Sequence, residues 1–140
     1  MKQKQAEIEI GTSGQGLYEF SGEVAAFVAA SEIGIGQLTV FIRHTSASLL
    51  IQENADADVQ RDLTEFYQRL VPENMDWLRH TSEGPDDMPA HIKAALSQVS
   101  LTIPIAAGAM MLGTWQGIFL FEHRRRPHQR KVVLHTVGVA

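Results

Sequence analysis

Three histidines in polar segments are the residues best suited to do chemistry in this chain. His44 opens the segment HTSAS, His80 opens HTSEG, and His91 ends DDMPAH. Imidazole is a common ligand for divalent metals and a base near neutral pH. The spacing matches no short zinc motif such as HExxH, so unrelated, solvated or hydrogen-bonded histidines are the alternative. The chain has no cysteine, and any metal must therefore be held by histidine, carboxylate or other oxygen ligands.

Acidic side chains stand close to these histidines in the sequence. Glu83, Asp86 and Asp87 lie between His80 and His91. Carboxylates at these positions could coordinate Mg²⁺, orient a histidine or act as acid and base groups. The alternative is that Asp87 caps a helix and the other two carboxylates are solvated. Both interpretations of Asp87 are compatible with each other.

Hydroxyl and amide side chains form a second group of candidates, which could bind phosphate. Thr45 and Ser46 follow His44, and hydroxyls at loop ends can hold phosphate oxygens, although they equally often satisfy turns. Gln116 lies between glycines in the segment GTWQG (113–117), where packing explains it poorly. Trp115 in the same segment could stack on a ligand ring or close the core.

A basic segment near the end of the chain is a further phosphate candidate. The residues EHRRRPHQRK (122–131) indicate a hairpin with a basic tip. Arginine binds phosphate in bidentate geometry, and a charged edge that protects a sheet is the alternative. Nucleic acid is an unlikely partner by composition, because no aromatic residues alternate with the basic ones and the net charge is −4.

The elements that must position these residues follow from the apolar pattern. Alternating or β-branched runs predict strands at 6–10, 17–20, 37–43 and 48–52, and further strands around SLTIPI, GIFLFEH and RKVVLHTVG. A first helix is predicted with Ser21 as N-cap and Gly34 and Gly36 at its end. Two further helices are predicted at 55–70 with Asn54 as N-cap, and at 88–98 with Asp87 as cap. Ala55, Val59, Leu63, Phe66 and Leu70 fall on one face of the second helix. This order predicts a single α+β domain over 1–140 with mainly antiparallel sheet.

Length and composition agree with a compact enzyme or binding module. The chain has 140 residues, of which 44% are hydrophobic and 20% charged. No apolar run approaches the length of a membrane span, and the N-terminal residues lack the apolar core of a secretory signal. We therefore expect a soluble cytoplasmic protein. No GxSxG elbow, Walker loop or GxGxxG is present, which disfavours serine hydrolases and nucleotide-binding folds.

Taken together, three segments resemble the YjbQ-like family: residues 44–63, 84–96 and 112–132. The resemblance extends over most of the chain from about residue 38 onward. It implies a compact α+β fold that assembles as a homotrimer, and a secondary thiamine-phosphate synthase activity. That reaction joins an aminopyrimidine-methyl diphosphate to a thiazole phosphate and releases pyrophosphate.

The resemblance also implies which positions recur as polar residues: His44, Thr45, Ser46, Glu53, Asn54, His80, Gly84, Asp87, His91, Thr114, Gln116, Glu122, Arg124 and Arg130. The segment Asp86-Asp87-Met88-Pro89 departs from the expected pattern, so either acid could be the functional one. With the chemistry above, this gives catalytic candidates His44, Glu53, Asp87 and His91, and metal ligands His44, His80 and His91. The candidates for substrate or phosphate binding are Thr45, Ser46, Asn54, Thr114, Gln116, Arg124 and Arg130.

The expected cofactor is a divalent metal, either Zn²⁺, which His-rich ligation favours, or Mg²⁺, which diphosphate chemistry favours. The expected partners are a phosphorylated small molecule and further copies of this chain. A trimer would permit a site between subunits, and the sequence leaves open whether the site lies there. Three alternatives stay open: a non-catalytic metal- or anion-binding module, a metal-dependent hydrolase of a phosphorylated metabolite, and an interaction trimer that uses its basic segment.

Overall fold

The computed structural model describes all residues, 1–140, as eight strands and three helices. It confirms the α+β class. In chain order the elements are β1 (Lys2–Thr12), β2 (Gly16–Glu19), α1 (Ser21–Ser31), β3 (Ile35–Ile42), β4 (Ala47–Glu53), α2 (Ala57–Leu70), α3 (Asp87–Ala95), β5 (Ser100–Ala106), β6 (Ala109–Met110), β7 (Gln116–Glu122) and β8 (His128–Val139).

The strands form two antiparallel sheets that share one core. The larger sheet has the order β1-β8-β3-β5-β6 and the smaller has the order β2-β7-β4. Alternate residues of a strand point to opposite faces, and the inward residues of both sheets are apolar. Val24 and Val28 of α1 complete this core, one helical turn apart. The strand residues of the core are Leu38, Val40, Ile42, Ala47, Leu49, Leu101, Ile103, Ile105, Ile118, Leu120, Val132 and Leu134.

Strand β7 is the centre of the smaller sheet and is covered on both faces. Ile118 and Leu120 point into the shared core, whereas Phe121 and the following His123 point to the other side. There Tyr67 of α2 packs on both, with ring centroids 4.8 Å from Phe121 and 6.1 Å from His123. Helix α2 therefore lies over the outer face of the smaller sheet.

The basic segment is not the hairpin that the sequence indicates. Strand β7 pairs with β2 and β4, whereas β8 pairs with β1 and β3, so the two strands belong to different sheets. Residues 123–127 cross from one sheet to the other. Arg124 turns inward on this crossing and is only 7% exposed, and Arg130 is 3% exposed. Both arginines are interior residues, not parts of an exposed tip.

Helix starts also differ from the sequence prediction. Asp56, not Asn54, is the N-cap of α2, and its Oδ1 accepts a hydrogen bond of 2.9 Å from the backbone amide of Asp58. The N-cap position of α3 is Asp86, and Asp87 is the first helical residue. In both helices another acid within two residues competes with the predicted cap, and tertiary contacts decide between them.

The start of α1 differs in the same way. Ser21 is its first residue and not its cap. Its hydroxyl accepts a hydrogen bond from the backbone amide of Ile118, which ties the helix start to β7. The helix ends at Ser31, and Glu32 adopts the left-handed conformation with φ 57°, a role that the sequence suggested for Gly34.

The apolar face predicted for α2 remains largely on the surface. No residue of this helix is buried, and Phe66 and Leu70 are 58% and 54% exposed. The third helix ends beside two further exposed apolar residues, Leu96 and Val99. On this face Val59 and Leu63 are half-buried, whereas Phe66 and Leu70 stay exposed in the single chain.

None of the three helices combines the length and the apolar character needed to cross a lipid bilayer.

Candidate metal and phosphate site

His80, Asp87 and His91 converge at the start of α3. Asp87 and His91 are four residues apart on this helix, which puts them on one face, and His80 approaches from the segment before the helix. The Nε2 atoms of His80 and His91 lie 2.7 Å and 3.2 Å from the same atom, Asp87 Oδ2. Two imidazole nitrogens and a carboxylate oxygen lie within 4.8 Å of one another. We call this group the His-Asp-His cluster.

The orientation of His91 is set by a backbone carbonyl. Its Nδ1 lies 2.8 Å from the carbonyl oxygen of Thr45, which can only accept a hydrogen bond, so Nδ1 carries a proton. In a neutral ring Nε2 then presents a lone pair, and this lone pair faces the Asp87 carboxylate. Two electron-rich atoms at this distance require a proton or a cation between them. A backbone carbonyl on the other ring nitrogen is a common support for histidines that ligate metals.

Asp87 is held in place by Arg124, which reaches it from the crossing between the two sheets. The guanidinium donates to Asp87 Oδ1 at 2.8 Å, to Asp86 Oδ2 at 3.0 Å and to the carbonyl of Glu83 at 3.0 Å. Asp87 is 2% exposed. With Oδ1 engaged by Arg124, Oδ2 is left to face the histidines.

Asp86 and Arg124 form a buried pair whose charges support each other. Burial alone would raise the pKa of Asp86, but hydrogen bonds from the Arg125 backbone amide and the Arg124 side chain hold it below its usual value. Burial alone would lower the pKa of Arg124, and Asp86 and Asp87 more than compensate for it. Asp86 thus anchors the arginine, while Asp87 connects the arginine to the histidines.

Arg130 is fully occupied by a second buried pair. It donates to both oxygens of Glu122, which is 0% exposed, and to Ser46 Oγ at 3.1 Å. Thr12 adds a hydrogen bond of 2.6 Å to Glu122 Oε1. Burial alone would raise the pKa of Glu122, but the hydrogen bonds from Arg130 and Thr12 lower it below its usual value. This network fixes the segment 44–46 against β8.

His44 lies beside the His-Asp-His cluster but is not one of its members. Its Nε2 accepts a hydrogen bond of 2.7 Å from the backbone amide of Lys131, and its Nδ1 is 3.4 Å from the Arg130 guanidinium. Burial lowers the pKa of His44, and the charge of Arg130 lowers it further. The expected grouping of His44 with His80 and His91 thus differs from the structure, where Asp87 is the third member of the cluster. His44 shares only a groove with His91 and Thr45.

Four other sequence candidates lie at the opposite end of the smaller sheet. Glu53 pairs with Gln116, whereas Ala47 pairs with Glu122 at the end near the histidines. Six residues of strand separate the two ends, which is about 20 Å. Asn54 donates to Glu19 Oε2 at 3.0 Å, Glu53 accepts from the Asp56 amide, and Gln116 accepts from the Gly113 amide. Thr114 lies on the same exposed turn as Trp115. One chain therefore does not bring the two groups together.

Two residues near the cluster belong to the basic segment but were not singled out as site residues from the sequence. Arg126 and His128 line a cavity of about 330 Å³ with Arg124 and Glu83. Arg126 is exposed and forms no ion pair, unlike Arg124, so it is available to an anion. The run of three arginines contains the signal, but the sequence does not tell which arginine turns inward.

Comparison with known proteins places this geometry in a family. The family model described as UPF0047 protein YjbQ-like matches residues 6–139. The chain belongs to the YjbQ-like family. A UPF0047 protein of Synechocystis is 53% identical over 137 residues, which cover 98% of this chain and 93% of that protein. The YjbQ protein of Escherichia coli is 37% identical over 135 residues, which cover 96% of this chain and 97% of that protein.

Solved YjbQ-like structures share the fold as well. A protein of the yjbq/upf0047 family from Clostridium acetobutylicum superposes with a TM-score of 0.86 at 35% identity, covering 94% of this chain and 99% of that one. A YjbQ-like protein of unknown function from Sulfolobus solfataricus has a TM-score of 0.84 at 22% identity, over 97% of this chain and 99% of that one, and this likeness concerns the fold alone. None of these four relatives carries the name of a reaction.

Proposed function

We propose that this YjbQ-like protein is a metal-dependent enzyme that acts on a phosphorylated small molecule. His80, Asp87 and His91 are the proposed metal ligands. The observation that carries this proposal is the convergence of His80 Nε2 and His91 Nε2 on Asp87 Oδ2, at 2.7 Å and 3.2 Å, with the His91 ring oriented by the Thr45 carbonyl. A divalent cation among these three atoms would take all three as ligands.

The donor set argues for a particular kind of metal. Two imidazoles and one carboxylate suit Zn²⁺ or another first-row transition ion better than Mg²⁺, which prefers oxygen ligands. Three protein ligands also leave a coordination position for water or substrate, as in catalytic zinc sites. Arg124 and Asp86 would then support the site from behind, because they hold the second oxygen of Asp87.

The surroundings of the cluster support a phosphorylated substrate. Arg126 and His128 offer positive or hydrogen-bonding groups in the neighbouring cavity, and an exposed arginine without an ion pair suits a phosphate. A groove of about 270 Å³ with a largely apolar floor of Ala94, Ala95 and Val99 runs past His91 on another side. A basic cavity and an apolar groove fit a molecule that carries a ring and a phosphate.

The specific reaction that we propose is thiamine-phosphate formation. The C–O bond between the pyrimidine methylene and the diphosphate breaks, its electron pair leaves with the diphosphate, and the thiazole nitrogen forms the new bond to carbon. A bound divalent ion would supply positive charge to the leaving diphosphate. Arg126 would bind its phosphate oxygens. Arg124 and Arg130 stay candidates for phosphate binding, although both are engaged by carboxylates in this structure.

We further propose that the complete site lies between copies of this chain in a homotrimer. Glu53, Asn54, Thr114 and Gln116 lie at one end of the smaller sheet, about 20 Å of strand away from the end near the histidines, too far to contact one small ligand within a chain. Trp115 is 63% exposed beside them, and Trp77 is 68% exposed near His80. Large exposed aromatic residues at both ends are typical of surfaces that become buried in an assembly.

The deciding experiment combines metal analysis with a thiamine-phosphate synthase assay. We expect about one transition-metal ion per chain, chelator-sensitive turnover, and loss of both in His80→Ala and His91→Ala. His135→Ala is the matched control, because His135 is on β8 and its side chain forms a hydrogen bond with Gln3 alone. Metal without turnover would favour a non-catalytic binding module, and metal with phosphate release alone would favour a hydrolase. Absence of metal in protein prepared with Zn²⁺, Mn²⁺ or Fe²⁺ would refute the proposed cluster.

A further inference from the structure

Lys93 on α3 is a buried lysine without a salt bridge. It is 2% exposed, the lowest exposure of any lysine in the chain. Lysines are almost never fully buried unless they are paired, because an ammonium loses its hydration when it is buried. No carboxylate reaches the Lys93 ammonium within salt-bridge distance, and the nearest acidic side chains, Glu73 and Asp86, act only through space. The fold of the isolated chain gives no structural reason for this charge.

The Lys93 side chain lines a cavity of about 340 Å³ that is separate from the His-Asp-His cluster. On an α-helix each residue advances about 100°, so Lys93 lies about 200° around the axis from His91. Asp87 and His91 therefore face one side of α3, and Lys93 faces another. We call this space the Lys93 cavity. Its lining consists of Gln15, Gln68, Val71, Pro72, Glu73, Lys93 and Arg125.

The Lys93 cavity carries one uncompensated positive charge. Arg125 and Glu73 neutralise each other in an ion pair of 2.6 Å at its wall. Lys93 is the third charged residue of the lining and has no partner. No carboxylate of the chain forms a salt bridge with this ammonium, so the cost of removing its hydration is not offset by an ion pair.

Gln15 provides an independent sign that a partner belongs in this cavity. Its Nε2 is the one buried side-chain nitrogen or oxygen of the structure that has no hydrogen-bond partner. Its Oε1 accepts a hydrogen bond of 2.8 Å from Gln68 Nε2. An N–H donor that is buried without a partner costs stability, and an acceptor group in the cavity is the partner that it lacks.

We propose that the Lys93 cavity is a binding site for a small oxyanion, the phosphate or carboxylate group of a metabolite, distinct from the His-Asp-His cluster. The anion would accept hydrogen bonds from Lys93 and from the Gln15 amide, and Arg125 would flank it. Glu73 lines both the Lys93 cavity and a second cavity that contains His80. The two cavities are therefore neighbours that share the Glu73 side chain as a wall.

The test uses chelator-treated protein, so that binding at a metal cannot contribute. Inorganic phosphate and succinate are each titrated by calorimetry and by thermal unfolding, with sodium chloride at matched ionic strength as reference. We expect at least one of them to bind and to raise the melting temperature. Lys93→Met should weaken that binding about tenfold or more, because methionine is similar in length to lysine but cannot donate a charged hydrogen bond. Lys131→Met, an exposed lysine, is the matched control and should bind as the wild type does.

Two further variants separate this site from the proposed active site and from a folding defect. Gln15→Glu keeps Lys93 in place but adds a carboxylate that competes with the anion, so it should also weaken binding. His91→Ala removes the metal cluster and should bind phosphate or succinate unchanged. The proposal is overturned if neither anion binds to the wild type, or if Lys93→Met and Gln15→Glu bind as well as the wild type. It is equally overturned if binding is lost in His91→Ala, which would assign the anion to the metal cluster.

Discussion

The two ends of the smaller sheet use polar residues in opposite ways. At the end near the histidines, Glu122, Arg124 and Arg130 are buried and their charges are paired within the chain. At the other end, Asn54, Thr114 and Gln116 are exposed, and Asn54 and Gln116 hydrogen-bond to Glu19 and to the Gly113 amide. We call these the histidine end and the tryptophan end. Charged residues at the first end are buried and paired, whereas the polar residues at the second end face the solvent.

The largest difference between the two ends should appear in stability. Glu122→Ala leaves Arg130 buried without a carboxylate, which typically costs about 3–5 kcal/mol of unfolding free energy. Glu53→Ala is the same substitution at the tryptophan end and removes one hydrogen bond to the Asp56 amide, for a loss of about 0.5–1.5 kcal/mol. Urea denaturation of both variants measures the two losses. Equal losses would show that the buried network is not what stabilises the histidine end.

The histidine end should also make the unfolding free energy of the chain depend on pH. Burial of His123 between Tyr67 and Phe121 lowers its pKa to about 3, with smaller contributions from the charges of Lys93 and Arg130. Between its usual pKa near 6.5 and this value, the unfolded chain binds one more proton than the folded chain. The unfolding free energy therefore rises with pH in this range and falls by about 1.4 kcal/mol for each pH unit of acidification.

His123→Gln isolates this contribution, because the amide does not titrate. We expect the difference in unfolding free energy between wild type and variant to change by about 1.4 kcal/mol per pH unit between about pH 6 and pH 4. Other titrating groups, including His44, are present in both proteins and cancel in the difference. A difference that is independent of pH would show that His123 is protonated in the folded chain.

The fold could be predicted from local patterns to a large extent. Leu101, Ile103 and Ile105 alternate with polar neighbours and are buried on one side of β5, as a period of two predicts. Val24 and Val28 of α1 are buried and lie four residues apart, as a helical period predicts. What the sequence could not supply is the partner of each strand. The assignment of β7 and β8 to different sheets depends on contacts far apart in the chain, and the predicted hairpin was wrong for this reason.

The same distinction explains which parts of the candidate site were predictable. Asp87 and His91 share a helix face because they are four residues apart, and this spacing is visible in the sequence. The position of His44 depends on pairing of β3 with β8, which brings the Lys131 amide against its ring. The burial of Arg124 depends on the crossing between the sheets. Side-chain roles that follow from helix spacing were accessible, and roles that follow from strand pairing were not.

The smallest effect on stability should come from Gln116. Its substitution separates a role in folding from a role in turnover at the tryptophan end. Gln116 is exposed and its side chain contacts only the neighbouring Gly113 amide, so Gln116→Ala should change the unfolding free energy by no more than about 0.5 kcal/mol. Turnover should nevertheless fall, because we propose that the tryptophan end of one chain completes the histidine end of another. Urea denaturation and the synthase assay measure the two effects on one sample.

Mixing of two inactive variants then tests whether the two ends come from different chains. A trimer assembled from Gln116→Ala and His91→Ala chains contains interfaces at which an intact His91 meets an intact Gln116. Co-refolded mixtures should regain part of the turnover that each variant lacks alone, whereas a site within one chain gives no recovery, since every chain then carries a defect. As a reference, each inactive variant is also mixed with Thr102→Ala, a neutral change at an exposed position of β5. These mixtures show how turnover changes when active chains are only diluted by inactive ones. Recovery would assign the exposed residues of the tryptophan end to the neighbouring chain's site, and its absence would leave the histidine end as the whole site.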